Sequence, residues 1–481
     1  MKPAANDTAA NDTAAEETLV RRVRTELAAL FTPDKPLRIA RAPGRLDVMG
    51  GIADYTGSLV CEMPIEQSAA VASQERGDRQ VCVVGLNLLD EHKPFQFQMP
   101  LDKLAATDIP TLRAQLHEPL PGDHGTNRTW AGYVVGCLKV LAEEGLLDLA
   151  ALPGLNLALY STVPSGAGVS SSAAVEVATM MNLVGRFGID IDGPRVAVLC
   201  QRVENDVVGA PCGLMDQMAS VMGERGKLMR MVCQPHELLE PLTLPDGVRV
   251  VGINSNVKHS VGGGAYGKTR TAAFMAHTLI VDAIKQMAER AGKRMIADPT
   301  GGYLANVDPD DYKRHFRPLL PEQAEGGAFL DAHGDTADPI TSPATTPQRG
   351  TFYHVQAACD HHVLEARRVK QFAAFLGSGH LDKAGHLMYA SHHSYTTKAQ
   401  LGADECDVLV DLVRVNEPAG LHGAKITGGG SGGTVAILCN NDTDDAIKQI
   451  MADYEQRTGL TPQPIAGSSH GAWATGSWDV A

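Results

Sequence analysis

The chain of 481 residues contains no Cys-x-x-Cys pair, and its nine cysteines, at positions 61, 82, 137, 200, 212, 233, 359, 406 and 439, are odd in number and far apart. That spacing argues against a zinc or disulfide framework and fits a reduced, cytoplasmic protein. No uninterrupted apolar run approaches the roughly 18 residues that cross a bilayer, so no membrane partner is expected. The first fifteen residues repeat Asn-Asp-Thr-Ala-Ala without an apolar core or a basic start, which reads as a disordered tail rather than a signal peptide or anchor. The Asn-x-Thr sequons at Asn6 and Asn11 matter only in a secreted protein. Clustered Lys/Arg is missing too. With 42 basic against 56 acidic residues and a formal charge of −14, no nucleic-acid partner is expected. Any anionic ligand must be held by local donors or a metal.

What is present is globular: 44% hydrophobic residues, 20% charged residues and 49 glycines, enough for two or three domains. Periodicity predicts an amphipathic helix over 16–30, so that the tail and this helix make up 1–36. Strands are expected at 37–42, closed by Pro43-Gly44, and at 58–63, 69–72, 81–85, 95–99 and 154–161, with a helix at 130–143. A helix at 194–205, a loop over 208–218 and strands at 228–232 and 248–254 follow. Leu244-Pro-Asp-Gly-Val marks a domain junction, dividing the chain into 37–245 and 246–481. Beyond it come a long helix near 271–291, an insertion of uncertain order near 298–350, helices at 359–376, 404–415 and 444–457, and a glycine loop leading into a strand over 424–438. The class is α+β.

The densest stretch is Val163-Pro-Ser-Gly-Ala-Gly-Val-Ser-Ser-Ser172. It feeds an apolar segment whose only charge up to Gly185 is Glu176, so a buried helix should present a first turn of free N–H groups and hydroxyls. Such a helix start suits an anionic ligand such as phosphate. Two more glycine-rich elements frame it, Arg41-Ala-Pro-Gly-Arg-Leu-Asp-Val-Met-Gly-Gly-Ile-Ala-Asp-Tyr55 and Lys425-Ile-Thr-Gly-Gly-Gly-Ser-Gly-Gly-Thr434. Gly262-Gly-Gly-Ala-Tyr-Gly-Lys-Thr269 matches the P-loop pattern, but no buried strand runs directly into it, so it reads as an accidental match.

In order and chemistry these three elements resemble the GHMP small-molecule kinases, and Met215-Asp-Gln217 narrows the likeness to the galactokinase branch, nearest its arabinose-phosphorylating members. The resemblance spans about 38–471. It implies a two-domain GHMP fold, with an N-terminal domain like ribosomal protein S5 domain 2 and a ferredoxin-like C-terminal domain. It also implies an ATP- and Mg²⁺-dependent sugar 1-kinase, acting on L-arabinose. A galactokinase, another sugar or uronate 1-kinase, and a non-catalytic sugar- and ATP-sensing regulator are the alternatives. Oligomeric state stays open.

On that resemblance, Gly166, Gly168, Ser170, Ser171 and Ser172 form the phosphate cradle, and Ser171 shares Mg²⁺ with Glu204. The competing view of Glu204 is a solvated carboxylate on the 194–205 helix. Asp216, in an otherwise uncharged loop, is expected to take the proton of the anomeric hydroxyl. Arg45 stands beside it and faces either Asp216 or Asp47. The sugar pocket is expected to contain Gly51, Ile52, Asp54, Asp47, Gly213 and Tyr266. Galactokinases carry Glu-His where this chain has Gly51-Ile52. The exchange removes polar groups that serve an exocyclic hydroxymethyl, with isoleucine filling the space, and L-arabinopyranose is galactopyranose without that group. Trp130 and Tyr133 at i, i+3 are read as helix core, and the histidine pairs 361/362 and 392/393 as surface or helix-face residues.

Overall fold

The computed structural model describes residues 14–120, 127–257, 264–295, 297–340 and 344–481. The repeat-bearing tail before residue 14 and the Gly262-Gly263 half of the P-loop-like stretch lie outside them. Fourteen strands are formed among the described residues. They are β1 Leu37–Met49, β2 Leu59–Glu75, β3 Gln80–Gly85, β4 Gln96–Pro100, β5 Leu155–Ser161, β6 Lys227–Val232, β7 Glu237–Thr243, β8 Val248–Asn254, β9 Ala324–Glu325, β10 Phe352–Tyr353, β11 Leu421–Ile426, β12 Thr434–Asn440, β13 Gln463–Ile465 and β14 Ser477–Val480.

The larger sheet runs β14-β1-β2-β5-β3-β4, with β6 also on β2 and β7 on β6. Pro43-Gly44 does not end the first strand: β1 continues to Met49 through register shifts at Pro43/Arg45 and Asp47/Met49. Proline survives there because β14 pairs only with Leu37 to Ala40, so the far side of β1 has no ladder at residue 43 to interrupt. The bulges turn the strand and aim Arg45 away from the regular alternation. Likewise 58–63 and 69–72 belong to one strand, because β2 changes partner along its length, from β6 at Leu59 to Glu62 to β5 at Ala69 to Glu75.

Helices Thr129–Glu143 and Ser171–Phe187 cover this sheet. Val134, Leu138, Val177, Met180 and Leu183 are all at most 1% exposed in its core, each contributing about 1.5–3 kcal/mol of burial. The first helix is shorter than its periodicity suggests, Ala14–Glu26, and ends in turns. The predicted 208–218 loop is cut short by the helix Met215–Met222.

The smaller sheet is antiparallel, in the order β11-β12-β8-β13. Helices Leu381–Ser394, Asp404–Val415 and Asp444–Thr458 accompany it, with Leu409, Val413, Ile437 and Ile450 in a second core. The chain leaves the larger sheet after β7 and enters the smaller one at β8, and β14 crosses back to the larger one. The described part of the 298–350 segment, whose order the sequence leaves uncertain, shares a core with the helix Gly264–Arg290: Leu304, Tyr312, Leu320 and Phe329 cluster with Ala273, Ala276 and Ile280.

Candidate functional site

A cavity of about 670 Å³ collects residues from all three glycine-rich elements. At its centre β5 ends, the chain turns through Gly166 (φ 71°) and Gly168 (φ 69°), and Ser170 takes the N-cap of the helix Ser171–Phe187 with φ 60°. The turn is clamped from behind by the third element, whose Thr434 Oγ1 donates to the Ala167 carbonyl at 2.8 Å. A Cβ on Gly168 would stand 3.2 Å from the Thr427 carbonyl oxygen. Ser170 is buried and its hydroxyl has no hydrogen-bond partner among the described residues. A buried hydroxyl left over at a helix start, together with first-turn N–H groups that have no intrahelical acceptor, makes an anion receptor. Gly166, Gly168, Ser170, Ser171 and Ser172 all line the cavity.

Beside this helix start, Arg45 points from β1 to Asp216, in the first turn of Met215–Met222. Its Nη2 and Nε donate to Asp216 Oδ1 at 2.7 and 3.1 Å, and its Nη1 donates to the Gly168 carbonyl at 2.8 Å. The choice between Asp216 and Asp47 is thereby resolved. Asp47 is fully buried and bound elsewhere: Lys425 Nζ lies 2.6 Å from its Oδ2, and the Gly51 and Gly428 amides donate to its carboxylate. The substrate-binding placement of Asp47 is therefore corrected, because its oxygens are consumed in joining the first and third elements behind the cavity wall. A second carboxylate that sequence reasoning missed, Glu62 of β2, lies 3.1 Å from Arg45 Nε and is wholly buried. Burial, reinforced by Asp47, drives the Glu62 pKa well up against the pull of Arg45. Its signal was a lone charge within Leu59-Val-Cys-Glu-Met63.

At the other side of Asp216 stands Asp54, from the short helix Gly51–Thr56. Burial, then the charge of Asp216, raises its pKa to about 7. It lies so close to Gly213 that a Cβ there would fall 1.6 Å from Asp54 Oδ2. Tyr266 completes this end, edge-on to Tyr55 at 6.0 Å. Gly51 and Ile52 reach the wall, but not in the expected manner. Ile52 is 1% exposed and packs into the second core. The space a side chain at 51 would enter is held by the Tyr395 hydroxyl, 1.7 Å from the position of its Cβ. Sequence inspection offered no signal for Tyr395, 344 residues downstream.

Behind Tyr55, Arg270 lies 4.7 Å from the ring centroid and donates two 2.7 Å bonds to Asp338. The insertion is thereby latched to the Asp54 end of the cavity, and its Ala344 and Gln348 line the cavity. His361 and His362, read as surface or helix-face residues, lie on a helix and are completely buried, with His362 hydrogen-bonded to Tyr55 at 3.2 Å and Thr56 at 3.3 Å. The helix Val355–Gly377 that carries them is covered by the helices Leu381–Ser394 and Gly264–Arg290. His392 is buried too, 2.9 Å from Asp407.

Glu204 is not a solvated carboxylate. It is 6% exposed, in a π-helical turn Val203–Val208, and accepts from Gln217 Nε2 at 2.8 Å. Burial, then Asp216, lifts its pKa to about 7, while hydrogen bonds from Ser172, Cys212 and Gln217 oppose the rise. Ser171 and Ser172 both line the cavity with Glu204. Hydroxyl and carboxylate oxygens are the donor set that Mg²⁺ takes. Tyr133 lines the cavity near Glu204, with His117 and Thr129 beyond, so only Trp130 of the aromatic pair is packed against the core alone. Lys268, from the P-loop-like stretch, sits in the first turns of Gly264–Arg290 and also lines the cavity.

The chain matches the GHMP kinases N terminal domain over residues 132–224, the GHMP kinases C terminal domain over 371–456 and the galactokinase galactose-binding signature over 27–75. It is 36% identical to an L-arabinokinase of Arabidopsis thaliana, a match covering 94% of this chain and 47% of that protein. It is 30% identical to a galactokinase of Chloroflexus aggregans, covering 89% and 91%. In fold it is similar to the Lactococcus lactis galactokinase complexed with galactose, with a TM-score of 0.70 at 21% identity over 94% and 98% of the two chains. The Methanococcus jannaschii mevalonate kinase gives a TM-score of 0.53 at 14% identity over 90% and 98%.

Proposed function

From the premise that the chain belongs to the GHMP kinase family and is a sugar kinase, we propose that it phosphorylates the anomeric hydroxyl of L-arabinose with ATP, giving L-arabinose 1-phosphate. One observation carries the proposal: the Arg45–Asp216 pair lies between a helix start built for phosphate and the Asp54 carboxylate, within one cavity.

In this reading the backbone amides after Gly166 and Gly168 and the hydroxyls of Ser170 to Ser172 cradle the triphosphate. Asp54, Gly213 and Tyr266 hold the sugar ring. Asp216 accepts the proton of the anomeric hydroxyl as its oxygen bonds to the γ-phosphorus and the bond to ADP breaks. Arg45 keeps Asp216 oriented and offsets charge on the transferring group. Glu204 with Ser172 or Ser171 would hold Mg²⁺, which supplies charge neutralisation at the phosphates. The end lined by His117, Thr129 and Tyr133 is left for the base of ATP.

L-Arabinose is favoured over D-galactose because no side chain at 51 reaches the cavity and Ile52 presents no polar group to a hydroxymethyl. A site with no partner for that hydroxyl discriminates by about 1–3 kcal/mol for each group left unpaired. The match to the galactokinase signature over 27–75 supports the second reading, a galactokinase. ADP release measured with a panel of sugars at equal concentration separates the two. Turnover with L-arabinose should far exceed that with D-galactose, and equal rates refute the arabinose assignment.

A further inference from the structure

We infer that Tyr395 is a positioning residue for the sugar end of the cavity, setting its shape by keeping residue 51 bare and by tying the acceptor wall to the loop beside Arg45. The inference rests on the reading of that end as the sugar site.

Tyr395 is fully buried, yet its hydroxyl reaches the back of the wall. It accepts from the Ile52 amide at 3.0 Å and donates to the Gly428 carbonyl at 3.0 Å. Ile52 lies in the first turn of the short helix that carries Asp54. Gly428, with φ 66°, is packed so that a Cβ would stand 3.2 Å from Arg45 Nη2. One hydroxyl therefore fixes the distance between the turn bearing Asp54 and the loop against which Arg45 rests. Lys425 Nζ lies 5.1 Å from the centroid of the Tyr395 ring, and His361 packs edge-on at 5.1 Å, so the ring is packed on more than one side.

The same hydroxyl closes residue 51 to every side chain. Gly51 adopts φ 26°, and its Cβ would meet Tyr395 Oη at 1.7 Å and Asp47 Oδ2 at 2.8 Å. At this point the wall is consequently the backbone of residue 51, with no side chain of its own to offer an exocyclic substituent. Tyr395 and Gly51 form a matched pair, and neither residue type is compatible with a larger partner at the other position.

Tyr395→Phe removes both hydrogen bonds and leaves the ring. Loss of two buried bonds should raise the KM for whichever sugar the wild-type protein accepts by about tenfold, with the KM for ATP changed less than about twofold. Gly51→Ala should lose more sugar affinity than Tyr395→Phe, and Gly51→Ala/Tyr395→Phe should bind sugar more tightly than Gly51→Ala alone. Binding of sugar and of ATP is followed separately by ligand-induced shifts in Tm as well as by turnover, so a poorly active variant is still informative. An unchanged sugar KM in Tyr395→Phe, an equal rise for ATP, or a double variant no better than Gly51→Ala overturns the inference. If the wild-type protein prefers a sugar other than L-arabinose, that fact alone overturns the substrate assignment and leaves this test in force.

Discussion

Replacing Asp216 by Asn changes a carboxylate into an amide of nearly the same shape at the centre of the proposed chemistry. The side chain is 23% exposed and its Oδ1 takes two bonds from Arg45. An amide oxygen retains an acceptor there, and Arg45 keeps Glu62 at 3.1 Å and the Gly168 carbonyl at 2.8 Å. The fold should thus lose about 1–2 kcal/mol, a fall of a few degrees in Tm. The chemistry should lose far more. A positioned general base contributes about 10²–10⁴ in rate, so kcat with L-arabinose should drop about a thousandfold, about 4 kcal/mol of barrier, while the KM for ATP stays within about threefold. The assay is coupled ADP release at saturating sugar, alongside thermal unfolding of the same preparation. A kcat within tenfold of wild type refutes Asp216 as base. Loss of activity that tracks loss of folded protein reduces the Arg45–Asp216 pair to a structural tie between two segments.

Four further outcomes follow from the same geometry. Asp54 and Glu204 both have folded pKa values of about 7, above their ordinary 3.8 and 4.5. A raised carboxyl pKa contributes stability that is full below the unfolded value and is lost as pH rises through the folded one. Their share therefore declines from about pH 4 to pH 7, and Asp54→Asn should flatten the Tm profile of the ligand-free protein between pH 5 and 8; an identical slope in both proteins counts against it. On the proposed reading the Asp54 carboxylate holds the sugar, so the KM for sugar should rise as pH falls below about 7, by up to tenfold per unit, in initial-rate measurements. Gly213→Ala, whose Cβ would stand 1.6 Å from Asp54 Oδ2, should raise the KM for sugar at least about tenfold with ATP affinity intact, as read by calorimetry. Asp338→Ala leaves the 1%-exposed Arg270 guanidinium without its carboxylate and should cost about 3–5 kcal/mol, seen as a lower denaturant midpoint.

Much of the site was legible because its parts are local. A turn that needs φ near 70° at Gly166 and Gly168 and a helix that starts at serine are written in neighbouring residues, as is Asp216 among methionines. What escaped depends on distant partners. Nothing near Pro43 says that β14 stops at Ala40 and frees the strand to continue. Asp47 looks like a ligand residue until Lys425, 378 positions away, claims it. Nothing near Gly51 says that its Cβ space is held by Tyr395, whose surroundings carry no motif. The order of the insertion stayed uncertain since its apolar residues share a core with the helix Gly264–Arg290, and the burial of the histidines was not legible because what covers them is supplied by remote segments.

The return of β14 to β1 has a mechanical consequence. The chain passes between its two sheets twice, at 244–247 and again between Ile465 and Ser477, where Ser468, Ser469 and Gly471 are bonded to Pro64, Ile65 and Gly223. Val248, Val250, Ala436, Leu438 and Ile465 of the smaller sheet also share one apolar core with residues of the larger sheet, so the third glycine element is held against the other two both by packing and by two passages of the chain.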